Sequence, residues 1–443
     1  MAHLMYSCAM RWWVAVEWIE ALVTEGGRRV DEIEVFFVQG TSVSADLKKR
    51  NLSLATSSED CGLCIRTIEK GRIGASSTNN PEEWRACLDA AVASGRLATP
   101  QEWNGLPCPE AIPDSDLAFD SAMTFEACDA RKILDRMLAG ADEHPAEVTS
   151  GSASLSCEQV TFANTHGVRY AARSTGISAS LEAISGQSTG YEFDHACRVG
   201  DVDPFVVGER ATFFASSSVG GKDIPTGEYD IILSPMAYAD LLSNVFVPAL
   251  SGRNVHQGRS KLAECLEKEV AVPGFSMYDD PHRENANGST WWDAEGTPTR
   301  RVDFVKDGVL HAFAYDLKTA YRFGKTSTGN AVRGGYGGLP TIGHHNFVVD
   351  GRRERIADDR VIYAHNVVGA HTANPMSGDF SVEISNPFWM EDGEFAEPIR
   401  GAMLSGNVFS LHRQIVGLST ESRAIGSYIL PSVRISGQRI IGK

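Results

Sequence analysis

The sequence predicts an α+β protein. An N-terminal α/β sandwich-type domain is expected over residues 1–100, a central α+β domain over 121–222, and a large antiparallel β-rich C-terminal domain over 227–443. Three observations predict this. Two breaks divide the chain, the Pro-rich stretch within residues 98–120 and the pair Gly220-Gly221. Before the second break, helical patterns alternate with short strand patterns. After Val270, alternating apolar runs are punctuated by Asp307-Gly308, Asp350-Gly351 and Asp392-Gly393. Asp-Gly supplies the two left-handed residues of a type I′ hairpin turn.

Each element follows from a local signal. Trp12 to Val23 reads as an amphipathic helix packed on the first domain. Glu34 to Val38 (EVFFV) is a short buried strand, and Ala45 to Leu54 is a polar edge strand. Leu63 to Ile73 alternates around Lys70-Gly71, a tight hairpin turn. Pro81 to Ser94 is a helix capped by Asn80 and stopped by Gly95. Beyond the Pro-rich stretch, Phe125 to Ala141 is a helix. Ser152 to Ala163, Val168 to Ser174 and Ile177 to Ile184 then alternate as strands of an antiparallel sheet. Arg210 to Ser218 reads as a strand or a helix end. The third unit opens with the strand EYDIILSP, followed by an apolar helix from Met236 to Leu250. Of the Asp-Gly pairs, the first and third are hairpins, because VDFVK-DG-VLHAF and FWME-DG-EFAEP alternate on both sides.

Composition narrows the function. The chain of 443 residues is long enough for two or three cores. Its net charge of −16 argues against a nucleic-acid partner held by phosphate contacts. Nine cysteines, an odd and scattered set, fit reduced thiols in a cytoplasm better than a disulfide framework. The apolar N-terminus lacks the basic region and cleavage site of a secretory signal, and no uncharged run reaches the ~18 residues of a membrane span.

Familiar catalytic patterns are missing. Cys61 and Cys64 have CxxC spacing but lie on a strand, where residues three apart face opposite sides; they read as structural thiols. His344, His345, His365 and His371 are close in sequence, yet nothing places them on one helix face as zinc ligands. Gly220-Gly221-Lys222-Asp223 lacks the earlier Gly and the following helix of a phosphate loop. Asp279, Asp280 and Glu295 are expected as exposed acids serving turns.

Several polar segments stand out: DAEGTPTRR at Asp293 to Arg301, STGNAVR at Ser327 to Arg333, GAHTANPMSGDFS at Gly369 to Ser381, Glu391-Asp392-Gly393, and Ser405 to Asn407. In order and spacing, residues 227–443 resemble the C-terminal region of the TldD/PmbA family, whose members are called modulators of DNA gyrase and TldD/TldE peptidases. EVFFVQGTSVSADLKKRNLSL resembles the family's first domain more weakly. The GAHTANPMSGDFS form resembles the TldE/PmbA branch.

The resemblance carries expectations. TldD-like members hold zinc with a HExxxH helix and a later Cys, whereas TldE/PmbA-like members lack it and pair with a TldD-like subunit. None of the twelve histidines here is followed by Glu. Counting from Ser234-Pro235, Ser243 and Asn244 stand where the first His and Glu would be, and Pro248 stands at the second His. No cysteine follows Cys265. Ser and Pro cannot replace two imidazoles, and Asn cannot act as the base. Pro248 should also end or kink its helix. The resemblance therefore implies no cofactor in this chain, zinc in a TldD-like catalytic partner, a heterodimer or homodimer, an unfolded peptide as substrate, and a cytoplasmic location. It assigns a substrate or interface role to Ser327, Thr328, Asn330, Arg333, His371, Thr372, Asn374, Ser377 and Asp379. Two other readings stay open: a non-enzymatic peptide-binding homodimer, and a self-sufficient hydrolase built around the four histidines.

Overall fold

The computed structural model describes residues 17–442. A helix covers 17–27 (α1), with Ile19, Leu22 and Val23 buried against the first strands. The earlier part of the helix expected from Trp12 lies outside the described residues. Strands β1 (Glu32–Lys48) and β2 (Asn51–Glu69) form one long hairpin, not the two short strands expected. Its turn is at Lys49, with φ of 55°. The strand runs on through its polar middle because Val35, Phe37, Val43, Ala45 and Leu47 bury the same face along its whole length. Strand β3 (Arg72–Thr78) follows across the expected turn, with φ of 51° at Lys70 and 73° at Gly71.

Asn80 caps the next segment by accepting the Glu82 N–H at 3.2 Å. Helix α2 (Trp84–Leu97) runs past Gly95, which does not stop it. Gly95 instead packs on β3, where a Cβ on Gly95 would lie 3.3 Å from the Gly74 nitrogen and one on Gly74 would lie 2.4 Å from the Gly95 nitrogen. Then come α3 (Ala127–Ala141), β4 (Glu147–Asn164), β5 (Arg169–Ser185), β6 (Ser188–Ala196) and α4 (Pro204–Ser217). β5 unites two expected strands, and β6 was not expected. Residues 210–218 turn out to end α4, a helix that begins at Asp203-Pro204 with the Asp carboxylate accepting the Phe205 N–H.

Strand β4 pairs with β1 from Glu34↔Asn164 to Lys48↔Ser150. Strands from both sides of the Pro-rich stretch thus share one antiparallel sheet, in the order β3-β2-β1-β4-β5-β6. Helices α1 and α2 cover one end of one face through Trp84 and Leu88. Helices α3 and α4 cover the other end through Leu134, Met137, Val207 and Ala211. On the opposite face Phe36, Phe162 and Tyr170 meet Trp292 of the C-terminal unit.

That unit begins with β7 (Gly227–Leu233) and α5 (Pro235–Leu241). It continues through β8 (Ser276–Asp279), β9 (Val302–Lys306), β10 (Val309–Leu310), β11 (Ala331–Val332), β12 (Thr341–Ile342), β13 (Phe347–Asp350), β14 (Val361–Val368), β15 (Asp379–Glu391), β16 (Glu394–Pro398), β17 (Met403–Asn407), β18 (Ile415–Ile425) and β19 (Tyr428–Ile441). The fold is α+β with a β-rich C-terminal unit, as expected. Most pairings are antiparallel; β13 with β19 and β14 with β7 run parallel. The hydrogen-bonded path β7-β14-β15-β17-β19 returns to β7 and closes a circuit. The Asp307-Gly308 and Asp392-Gly393 hairpins form as expected, with φ of 50° and 82° in the first and 52° and 86° in the second. A core including Leu233, Tyr238, Leu242 and Phe246 packs α5 and its continuation against the sheet.

Candidate functional site

The segments Asp293 to Arg301 and Ser327 to Arg333 pack against each other. Asp293 Oδ1 accepts the Glu295 and Thr297 N–H groups, each at 2.9 Å, and its Oδ2 accepts the Ala331 N–H at 3.1 Å. Arg300 donates to the Ser327 carbonyl at 2.7 Å. Asn330 donates to Asp279 at 2.6 Å, and Asp279 also accepts the His345 and Asn346 N–H groups. Asp279, Asp293 and Glu295 are buried. The expectation that Asp279 and Glu295 are exposed is therefore wrong. Both face fixed N–H donors or arginine in place of water, which makes burial of a carboxyl tolerable.

Glu295 reaches the N-terminal sheet. Its Oε1 accepts from Arg66 at 2.7 Å, and its Oε2 accepts the Leu317 N–H at 2.7 Å. Arg66 also binds Glu34, and Glu34 binds Arg333. Arg333 donates further to the carbonyls of Ala294 and Gly338. These four charged side chains are at most 3 % exposed. Burial opposes the Arg66 charge, but Glu34 and Glu295 outweigh it and hold the guanidinium above its ordinary value. Burial, then the neighbouring Glu295, pushes Asp293 up to about 8. Burial also raises Asp279 and Glu295.

Ser327, Thr328, Asn330 and Arg333 all belong to this junction. Ser327 Oγ donates to the Tyr315 carbonyl at 3.2 Å, and Thr328 Oγ1 accepts the Tyr315 N–H at 2.8 Å. The second group lies elsewhere, in the exposed turn before β15. His371 is in the one-turn helix Ala370–Thr372, and Thr372 Oγ1 donates to the Gly369 carbonyl at 2.8 Å. Asn374 accepts the Met376 and Ser377 N–H groups. Ser377 and Asn407 each donate to Asp379 at 2.8 Å. Those bonds, Asn407 first, hold the Asp379 carboxyl below its ordinary value. Among the described residues, no hydrogen bond or ion pair joins this turn to the Arg66 junction.

The four histidines do not converge, and His344, His345 and His365 have separate partners. The His365 ring stacks on Phe214 at 3.7 Å, and its Nε2 lies 3.1 Å from the Tyr191 carbonyl. His345 Nε2 lies 2.9 Å from the Gly329 carbonyl, and His344 Nε2 lies 2.9 Å from Ser427 Oγ. His371 is exposed. Cys64 is buried beside Phe36 and Phe162, whereas Cys61 packs with the α1–α2 core on the other face. Among the described residues, no group of three His, Cys, Asp or Glu could hold a metal ion.

The segment where the resemblance puts zinc ligands continues from α5. It widens into a π turn over Leu242–Phe246 and ends with Val247–Ala249. The Val247 N–H reaches back five residues to the Leu242 carbonyl. Pro248, which has no N–H and would crowd the carbonyl four residues back, sits just beyond this wide turn. Ser243 Oγ donates to the Asp240 carbonyl at 3.2 Å, and Asn244 Nδ2 donates to the same carbonyl at 2.8 Å. These are self-capping helix side chains, and their chemistry does not fit zinc. Ser243 and Pro248 line a cavity of about 560 Å³, together with Arg253, Arg259, His344 and Tyr428.

The family profiles cover the chain in three stretches. Residues 33–95 match PmbA/TldA metallopeptidase domain 1, residues 120–219 its central domain, and residues 226–442 its C-terminal domain. This chain belongs to the PmbA/TldD family. An uncharacterized protein of Methanocaldococcus jannaschii is 30% identical over 426 residues, which is 95% of this chain and 99% of that protein. Metalloprotease PmbA of Escherichia coli O157:H7 is 24% identical over 92% of this chain and 93% of its own length. Among solved structures, TldE from Thermococcus kodakarensis superposes with a TM-score of 0.88 at 25% identity, covering 96% of this chain and all of that one. A Thermotoga maritima protein described as a candidate modulator of a DNA gyrase superposes with a TM-score of 0.85 at 24% identity, over 96% and 99% of the two chains.

For this PmbA/TldD chain, sequence reasoning missed half of the junction. Glu34 and Arg66 went unremarked, as did Glu192 and Arg423, which pair at 2.8 Å where β6 meets β18. The signal was available. Glu34 interrupts the apolar run IEVFFV and Arg66 interrupts LCIRTI, and a charge inside a buried strand calls for a partner.

Proposed function

We propose that this chain is the TldE/PmbA-like, zinc-free subunit of a cytoplasmic TldD/TldE-type metallopeptidase that degrades unfolded peptides or trims peptide precursors. One observation carries the reading. At the positions of the catalytic motif the chain has Ser243 and Asn244, both bonded to their own helix, and Pro248. A TldD-like partner would supply the zinc and the base. This chain would complete the substrate cleft, with the exposed polar turn of His371, Thr372, Asn374, Ser377 and Asp379 at the interface and the buried junction of Ser327, Thr328, Asn330 and Arg333 holding the scaffold behind it. The eight described cysteines are all free thiols, which suits a reducing compartment. No helix among the described residues is long and apolar enough to cross a membrane.

The test is co-expression with a TldD-like subunit that carries HExxxH. Co-purification and chelator-sensitive peptide cleavage by the pair are expected. The chain alone should carry no stoichiometric zinc and cleave no peptide. One equivalent of zinc by elemental analysis, with chelator-sensitive peptidase activity of the lone chain, would overturn the proposal.

A further inference from the structure

The cavity beside the π turn has a lining that the subunit role does not use. Arg253, in the short helix Gly252–His256, and Arg259, just after it, both face this cavity. Among the described residues neither guanidinium has a hydrogen-bond or ion-pair partner. No Asp or Glu lines the cavity, although the chain carries a net charge of −16. Partly exposed apolar side chains supply the remaining wall, among them Val247, Pro248, Ile342 and Tyr428. His344 adds a polar group held by Ser427 at 2.9 Å. Burial pushes this imidazole down to about 4, so it is neutral at physiological pH and adds no charge. The volume of about 560 Å³ is that of a small-ligand pocket.

We propose that this cavity binds the free C-terminal carboxylate of a short peptide, with Arg253 and Arg259 on the carboxylate and the apolar wall around the last side chain. Arginine suits a planar two-oxygen anion because its N–H fork can donate two parallel bonds. A phosphate ion shares the negative charge but gives the apolar wall nothing to bury. The inference rests on the peptide-handling reading above and deepens it: the site that lost its zinc chemistry would keep a hold on peptide ends.

Calorimetry on the full chain tests this with three probes: the tripeptide Ala-Ala-Phe as the free acid, the same peptide as its C-terminal amide, and inorganic phosphate. The acid is expected to bind at least about tenfold tighter than the amide. Phosphate at equal concentration should not displace it. The double variant Arg253→Gln/Arg259→Gln, both surface positions, should lose the acid's advantage and leave amide binding unchanged. Equal binding of acid and amide, retained discrimination in the double variant, displacement by phosphate, or no binding of either peptide overturns the inference. The wild-type chain is also mixed with the TldD-like subunit. Assembly with active peptide cleavage but no acid preference in the wild type sinks this inference alone. Failure of wild-type chain and partner to assemble sinks the subunit role.

Discussion

Arg66 has two carboxylates, Glu34 and Glu295, and almost no water. Substituting Arg66→Met would leave Glu295 buried without its counter-charge and Glu34 with Arg333 alone. A loss of about 3–5 kcal/mol is expected, read as a lower urea midpoint, since a buried charge stripped of its partner keeps its desolvation cost. A midpoint unchanged from wild type would show that the pair is dispensable. His412 makes the second residue-scale prediction. Fully buried, with Nε2 at 2.9 Å from the Tyr238 hydroxyl, it is pushed by burial down to about 3. An unfolded histidine takes its proton near pH 6.5. Between these values the unfolded chain binds more protons than the folded one. Stability from this group is therefore complete above about pH 6.5 and is lost as the pH falls toward 3. His412→Gln should flatten the acid limb of a stability-versus-pH curve by ~1 proton, and His344 adds to that limb in the same direction. A limb of unaltered slope in His412→Gln would reject the assignment. At this scale the sequence was readable where a residue acts locally. Asn80 capping its turn is an example. It was not readable at Asp279 or Glu295, whose burial depends on strands far away in the chain.

The helices of the central segment cross where each has a glycine. A Cβ on Gly208 of α4 would lie 1.9 Å from the Met137 carbonyl, and one on Gly140 of α3 would lie 1.9 Å from the Phe205 carbonyl. Neither neighbour is a side chain that can turn away. Gly208→Ala is expected to force the helices apart and cost about 1–3 kcal/mol, seen as a lower thermal midpoint. An alanine variant as stable as wild type would mean the helices are not held this close. Glycines of this kind explain one failed expectation. Gly95 was read as a helix stop, but it is a contact residue, and nothing in its local sequence separates the two roles. Turn chemistry fared better. Lys70-Gly71, Asp307-Gly308 and Asp392-Gly393 all adopt the left-handed geometry of a tight hairpin turn. Strand lengths were less legible. β1 continues through its polar stretch because β4 pairs with it along its length, and the exposed first half of β2 is held by β1 alone.

In the whole molecule, the strands before and after the Pro-rich stretch close one sheet through β1 and β4. That makes a nick prediction. A protease site inserted at the exposed Asp114 and then cut should leave two fragments that separate on a denaturing gel yet co-elute in native gel filtration. Separation under native conditions would show that the β1–β4 ladder and the Arg66 junction together cannot hold the two fragments. The joints between the C-terminal unit and this sheet include the Arg66 junction, the Trp292 cluster and the Glu192–Arg423 pair beside His365. The sequence by itself determined the turns, the caps, the β-rich character of the last unit, the family resemblance, and the identities of Ser243, Asn244 and Pro248. All of these are fixed by residue type and short spacing. Only the tertiary structure decided that DAEGTPTRR and STGNAVR meet each other and lock onto Glu34 and Arg66, that the N-terminal strands share one sheet, and that Arg253 and Arg259 face a cavity without a counter-charge. Those arrangements arise from burial and long-range pairing, where one charge is tolerated only because another, distant in sequence, is brought to it.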